Sequence, residues 1–187
     1  MSARESLITG AIDLTRERGV AGTGIAQLLE RSGVSRRALY LNFPGGKNEL
    51  MTAAAHAAGA AISEAVAFVT QTSRPADAVR GFVTWWKQSL AAGDLQLGCP
   101  LVATVLGRAD APGAAAAAGA EIESWITTIR ERLIANGTDP SAAASLATTI
   151  VATVEGAVLL SLAKGSTDPM DDVEKHLIEL AEMHVPG

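Results

Sequence analysis

Apolar residues recur along this chain at spacings of three and four, the period of a helix with one buried face. Leu7, Ile8, Ala11, Leu14 and Thr15 predict a first helix over roughly Ala3 to Arg18, ending at Gly19. Thr23 is placed to cap a short helix with Ile25, Ala26, Leu28 and Leu29, which stops before Gly33. Gly33 can take the left-handed conformation of a sharp turn. Ser35 is placed to cap the next helix, Arg36 to about Asn42, and Pro44-Gly45-Gly46 break the chain after Phe43. Helix, tight turn and helix at this spacing form a helix-turn-helix. Ile25, Ala26, Leu29, Val34 and Leu39 are expected to face inward, and Phe43 to be core.

The same period continues to the end. A long Ala-rich helix is expected from Lys47 to about Gln71, broken at Ser73-Arg74-Pro75. Val79, Phe82, Val83, Trp86 and Leu90 mark the next, ending near Gly93. A shorter helix follows Gly98-Cys99-Pro100, and one with Ile122, Trp125, Ile126, Ile129 and Leu133 runs from Pro112-Gly113 to Asn136-Gly137. Asp139-Pro140 caps a helix over about Ser141 to Ala163. The last, about Pro169 to His184, lines up Met170, Val173, Leu177 and Leu180. Nine helices and no strand predict an all-α fold. Its expected division is a three-helix domain over residues 1–46 and a larger helical domain over 47–187.

Composition adds little to this, but charge adds something. The 187 residues are 48% hydrophobic and 19% charged, a globular balance. The chain is acidic, with 15 Lys and Arg against 20 Asp and Glu. Residues 1–50 nevertheless hold seven Lys or Arg against five Asp or Glu, leaving the remainder at −7. An electropositive head on an acidic body points the head at a polyanion. The longest run free of charge, Pro140 to Val154, is 15 residues and short of a bilayer span. The start has no secretory pattern, and a soluble cytoplasmic protein is expected. The single Cys99 can form no internal disulfide.

Enzyme chemistry finds no support. The three His (56, 176 and 184) lack metal-ligand spacing, and no nucleophile elbow occurs. Pro44-Gly45-Gly46-Lys47 lacks the spacing and the hydroxyl residue of a phosphate loop. Neither a cofactor nor a metal is expected.

Thr23, Ile25-Ala26, Gly33-Val34-Ser35, Leu39-Tyr40, Phe43, Lys47 and Leu50 closely resemble the DNA-binding signature of the TetR family of bacterial transcriptional regulators. Two departures stand out. Asn42 occupies a position where His is frequent, and three residues rather than two separate Phe43 from Lys47. The Phe-Pro-Gly-Gly-Lys form, with Gly98-Cys99-Pro100, is similar to the LmrA/YxaF-type subgroup.

The resemblance implies a ligand-responsive DNA-binding regulator, a repressor released from a palindromic operator by a small effector. Two alternatives remain: a helical interaction protein without specific DNA binding, and an activator of the same fold. The recognition helix would enter the major groove, with Arg36 and Arg37 at base edges and Ser35 and Ala38 near the groove floor. Tyr40, Asn42, Thr23 and Lys47 would bind phosphates of double-stranded DNA. A homodimer would form through the last two helices, by Ala147, Ile150, Val154, Val158, Leu162, Val173, Leu177 and Leu180. Phe68, Phe82, Trp85, Trp86, Cys99, Leu101, Val105 and Trp125 would enclose a pocket for an apolar or aromatic effector.

Overall fold

A computed structural model describes residues 1–71 and 74–184, so Ser73 of the expected break lies outside the described residues. Among these the chain is all-α: α1 (Ala3–Arg18), α2 (Ile25–Ser32), α3 (Arg36–Asn42), α4 (Lys47–Val69), α5 (Pro75–Ala92), α6 (Pro100–Leu106), α7 (Pro112–Ala135), α8 (Pro140–Lys164) and α9 (Asp168–His184). The chain forms two compact units. One holds residues 1–61 and 99–122, the other 62–98 and 123–184. Helices α4 and α7 each contribute residues to both.

Local chemistry accounts for the helix ends in the first unit. Ser2 and Glu5 close a capping box on α1: the Ser2 hydroxyl accepts from the Glu5 N–H, and the Glu5 carboxylate accepts from the Ser2 N–H. Gly33 ends α2 at φ +66°, a conformation that strains a residue with a Cβ. Ser35 caps α3 by accepting from the Ala38 N–H at 3.2 Å. Leu7, Leu14, Leu28, Leu39, Phe43 and Leu50 are fully or almost fully buried together. Leu28 rather than Ala26 is the buried anchor of α2, because Ala26 lies on the exposed side. Helix α6 packs on α1 in the same unit. Gly59 leaves room for Glu121 where α4 meets α7: a Cβ there would lie 2.3 Å from the Glu121 side chain, which reaches His56 at 2.9 Å.

The second unit is built on α9, which packs against both α5 and α8. Trp86 and Trp125 are buried to within 1% of their surface, and the Trp125 indole N–H donates to Ser63 Oγ at 3.0 Å. Lys87 of α5 and Asp171 of α9 form an ion pair. By length and composition alone α4 and α8 are apolar enough to cross a bilayer, at mean hydropathies of 1.3 and 1.8, despite the short charge-free run. In α8 the residues Leu146, Ile150, Val154 and Val158 are taken up by the unit's own core.

Candidate functional site

Helix α3 presents one polar face to solvent. Arg36, Arg37, Tyr40 and Leu41 are all exposed, while Leu39 on the opposite side anchors the helix in the core. Neither guanidinium has an ion-pair partner among the described residues. Arg31 of α2 differs: it forms a bidentate pair with Glu17 of α1 at 2.8 and 3.0 Å. Its charge is thereby neutralised and α1 is tied to α2. Arg4 lies 5.3 Å over the ring of Phe43, so it braces the end of α3 from outside. The cations of α3 thus stand on an exposed face, with Leu39 holding the helix from the other side.

The Glu17–Arg31 pair gives the head a measurable pH signature. The Arg31 hydrogen bonds hold the Glu17 carboxyl below its ordinary range, and Glu17 raises Arg31. A carboxylate with a lowered folded-state value stabilises above its unfolded value and loses that stabilisation as pH falls through the lowered one. The pair is partly exposed, so Glu17→Gln is expected to cost under about 1 kcal/mol at neutral pH. Urea unfolding of both proteins checks this: the difference should shrink as pH falls below the ordinary carboxylate range and through the lowered Glu17 value.

Three residues expected at phosphates donate to backbone carbonyls within the first unit. Thr23 is fully buried and its hydroxyl donates to the Gly19 carbonyl at 2.8 Å, while Gly24 occupies the N-cap of α2. Lys47 Nζ donates to the Val20 carbonyl at 3.1 Å, pinning the turn after α1. Asn42 Nδ2 donates to the Ala38 carbonyl at 2.8 Å within α3. Each of the three side chains thus has a backbone carbonyl as partner. Ala38 is half-buried beside the exposed face.

The second unit encloses a cavity of about 50 Å³. Its walls include Val66 and Val69 of α4, Phe82 of α5, Ile150 and Val154 of α8, and Leu177 of α9. Of the expected pocket residues, Phe82 alone lines it. Trp85 stacks parallel to Phe82 at 6.4 Å, one layer behind the wall, and Trp86 meets Trp85 edge-on at 5.0 Å. Trp125 is a buried core residue, and Phe68 is 75% exposed. Cys99, Leu101 and Val105 belong to the first unit, where Cys99 and Leu101 are buried and Val105 is half-buried. Helical periodicity identifies apolar faces but cannot say which of them enclose a void.

Residues 7–54 match the model for "Bacterial regulatory proteins, tetR family". Residues 75–176 match "Transcriptional regulator LmrA/YxaF-like, C-terminal domain". The chain belongs to the TetR family.

An HTH-type transcriptional regulator of Mycobacterium tuberculosis is 31% identical over 98% of this chain and 96% of its own length. The LmrA regulator of Bacillus subtilis is 28% identical, covering 90% of each chain. A TetR transcriptional regulator from Chloroflexus aurantiacus superposes with a TM-score of 0.80 at 28% identity, over 98% of this chain and 96% of the other. A TetR protein from Rhodobacter sphaeroides shares the fold at 20% identity and a TM-score of 0.84, over 95% and 98%. This TetR-family chain is thus a DNA-binding transcriptional regulator and not an enzyme.

Sequence reasoning passed over Leu41, which is 72% exposed on the same face as Arg37 and Tyr40. An exposed Leu one turn after Arg37 puts an apolar group on an otherwise polar face, and that is the signal sequence reasoning missed. Much of the expected dimer stripe is taken up inside the second unit. Ala147, Ile150, Val154, Val158 and Leu177 are buried within their own unit, and Leu162, Val173 and Leu180 are half-buried. The open apolar face of α8 carries Ala152, Gly156, Leu159, Leu160 and Ala163 instead. This TetR-family α8 is apolar on two sides, so its pattern alone did not separate core from outer face.

Proposed function

We propose that this regulator is a repressor that binds a palindromic operator as a homodimer and is released by a small apolar effector. The observation that carries the reading is the free cationic face of α3, Arg36 and Arg37, held outward by the buried Leu39. An arginine can bind O6 and N7 of guanine bidentately in the major groove. Leu41 would rest on a thymine methyl, and Tyr40 would donate to a phosphate. The protein would act in the cytoplasm, where it meets its operator.

A second copy would cover the open face of α8. Leu159 and Leu160 are 66% and 52% exposed. A Cβ added to Gly156 would meet nothing within 4 Å, so packing inside the chain gives no reason for glycine there. A mid-helix glycine costs about 1 kcal/mol relative to alanine, and a closely approaching partner helix would justify it. Leu159→Glu is expected to raise the dimer dissociation constant at least about tenfold, since it sets a charge against its symmetry mate. Sedimentation equilibrium checks this, with circular dichroism to show an intact fold. An unchanged dimer would place the interface elsewhere.

The effector would enter the cavity of the second unit. At about 50 Å³ that space is far below the roughly 300–1,000 Å³ of ligand pockets. Binding must therefore widen it, and Val66 and Val69 in its wall belong to the end of α4. Helix α4 is continuous back to Lys47, which begins where the turn after α3 ends. A ligand that favours the widened state shifts the population away from the DNA-binding one. Gel retardation of a promoter fragment, with candidate effectors added, tests the reading. Specific retention that a ligand reverses supports it, and specific retention that only increases with ligand would favour an activator.

A further inference from the structure

The cavity wall carries a single charge. Among the lining residues Arg132 alone is ionic, and none is acidic. The other polar ones are Thr70 and Asn136, and the Thr70 hydroxyl is already donated to the Val66 carbonyl at 2.7 Å. Arg132 is exposed, with no ion-pair partner among the described residues, and Asn136 follows one turn later on the same side. The remaining lining is apolar apart from these groups. A cation set at the mouth of an apolar cavity, with no acid to neutralise it, discriminates among ligands by the charge at one end.

We infer that the effector is a slender apolar molecule carrying one carboxylate, its head held by Arg132 and its tail lying among Phe82, Ile150, Val154 and Leu177. This rests on the reading of the cavity as the effector site and narrows the ligand class. The small volume selects shape as well as charge, because an unbranched chain widens the cavity least. Each added methylene buried in the tail should tighten binding about fourfold until the cavity is filled.

The test measures direct binding to the intact protein, without DNA, using decanoate, decanol and decylamine below their micelle thresholds. Calorimetry gives the affinity, and the fluorescence of Trp85, stacked behind the Phe82 wall, reports occupancy. Decanoate is expected to bind at least about tenfold tighter than decanol, with decylamine weakest. Arg132→Gln should bring decanoate down to the level of decanol while leaving decanol unchanged, which shows that the fold and the cavity survive. Equal affinity for decanoate and decanol, or a preference that persists in Arg132→Gln, overturns the carboxylate assignment but keeps the cavity as a ligand site. Binding of none of the three overturns both the assignment and the effector reading of this cavity.

Discussion

A chain carrying Arg36→Ala and Arg37→Ala is expected to fold as well as its parent and to lose at least about a thousandfold in specific DNA affinity. Both side chains are exposed and neither has an ion-pair partner among the described residues, so their removal takes nothing from the core. One arginine–guanine pair per half-site, at about 2 kcal/mol each, amounts to roughly 4 kcal/mol over a dimer. The loss should fall on the operator far more than on unrelated DNA. A loss shared evenly by all sequences, with a shallower salt dependence, would assign both arginines to phosphates instead. Titration against operator and scrambled duplexes separates the two, and unchanged thermal unfolding confirms the fold.

Phe43→Ala should reach the same loss of DNA binding by a different route. Phe43 ends α3 with only 1% of its surface exposed, packed in the core that holds Leu7, Leu39 and Leu50. Removing a buried phenyl ring costs about 3–5 kcal/mol, a large share of the stability of a small domain. The head is expected to unfold at a lower temperature than the second unit, giving two transitions where the parent gives closer ones. Phe43→Leu, which keeps most of the volume, should restore binding. If Phe43→Ala left melting unchanged while abolishing DNA binding, the ring would be a DNA contact rather than a support. The contrast with the double arginine variant separates a contact from the scaffold that positions it.

The head was legible in the sequence because its determinants are local. Gly33, Ser35 and Pro44 fix the turn and both ends of α3 within a dozen residues, and Leu39 and Phe43 set its inward side. The polar residues around that turn were less legible. Thr23, Asn42 and Lys47 look like phosphate ligands by type, yet each is engaged by a carbonyl that folding brings near. The second unit hid more, for the opposite reason. Its helices are so rich in apolar positions that periodicity allowed several inward faces, and burial of Ile150, Val154 and Leu177 chose between them. The cavity depends on which apolar faces meet incompletely, a long-range property carried by no short stretch.

The most direct measurement is selection of genomic DNA fragments by the purified protein, followed by footprinting of the enriched fragments across a salt series. We expect a protected palindrome with half-sites about 34–36 Å apart or a multiple of that, and binding that weakens steeply with salt. The Arg36→Ala and Arg37→Ala chain should enrich nothing. Failure of the parent chain to enrich any sequence, or a footprint that the double variant reproduces, would contradict the assignment of the α3 face as the element that reads DNA.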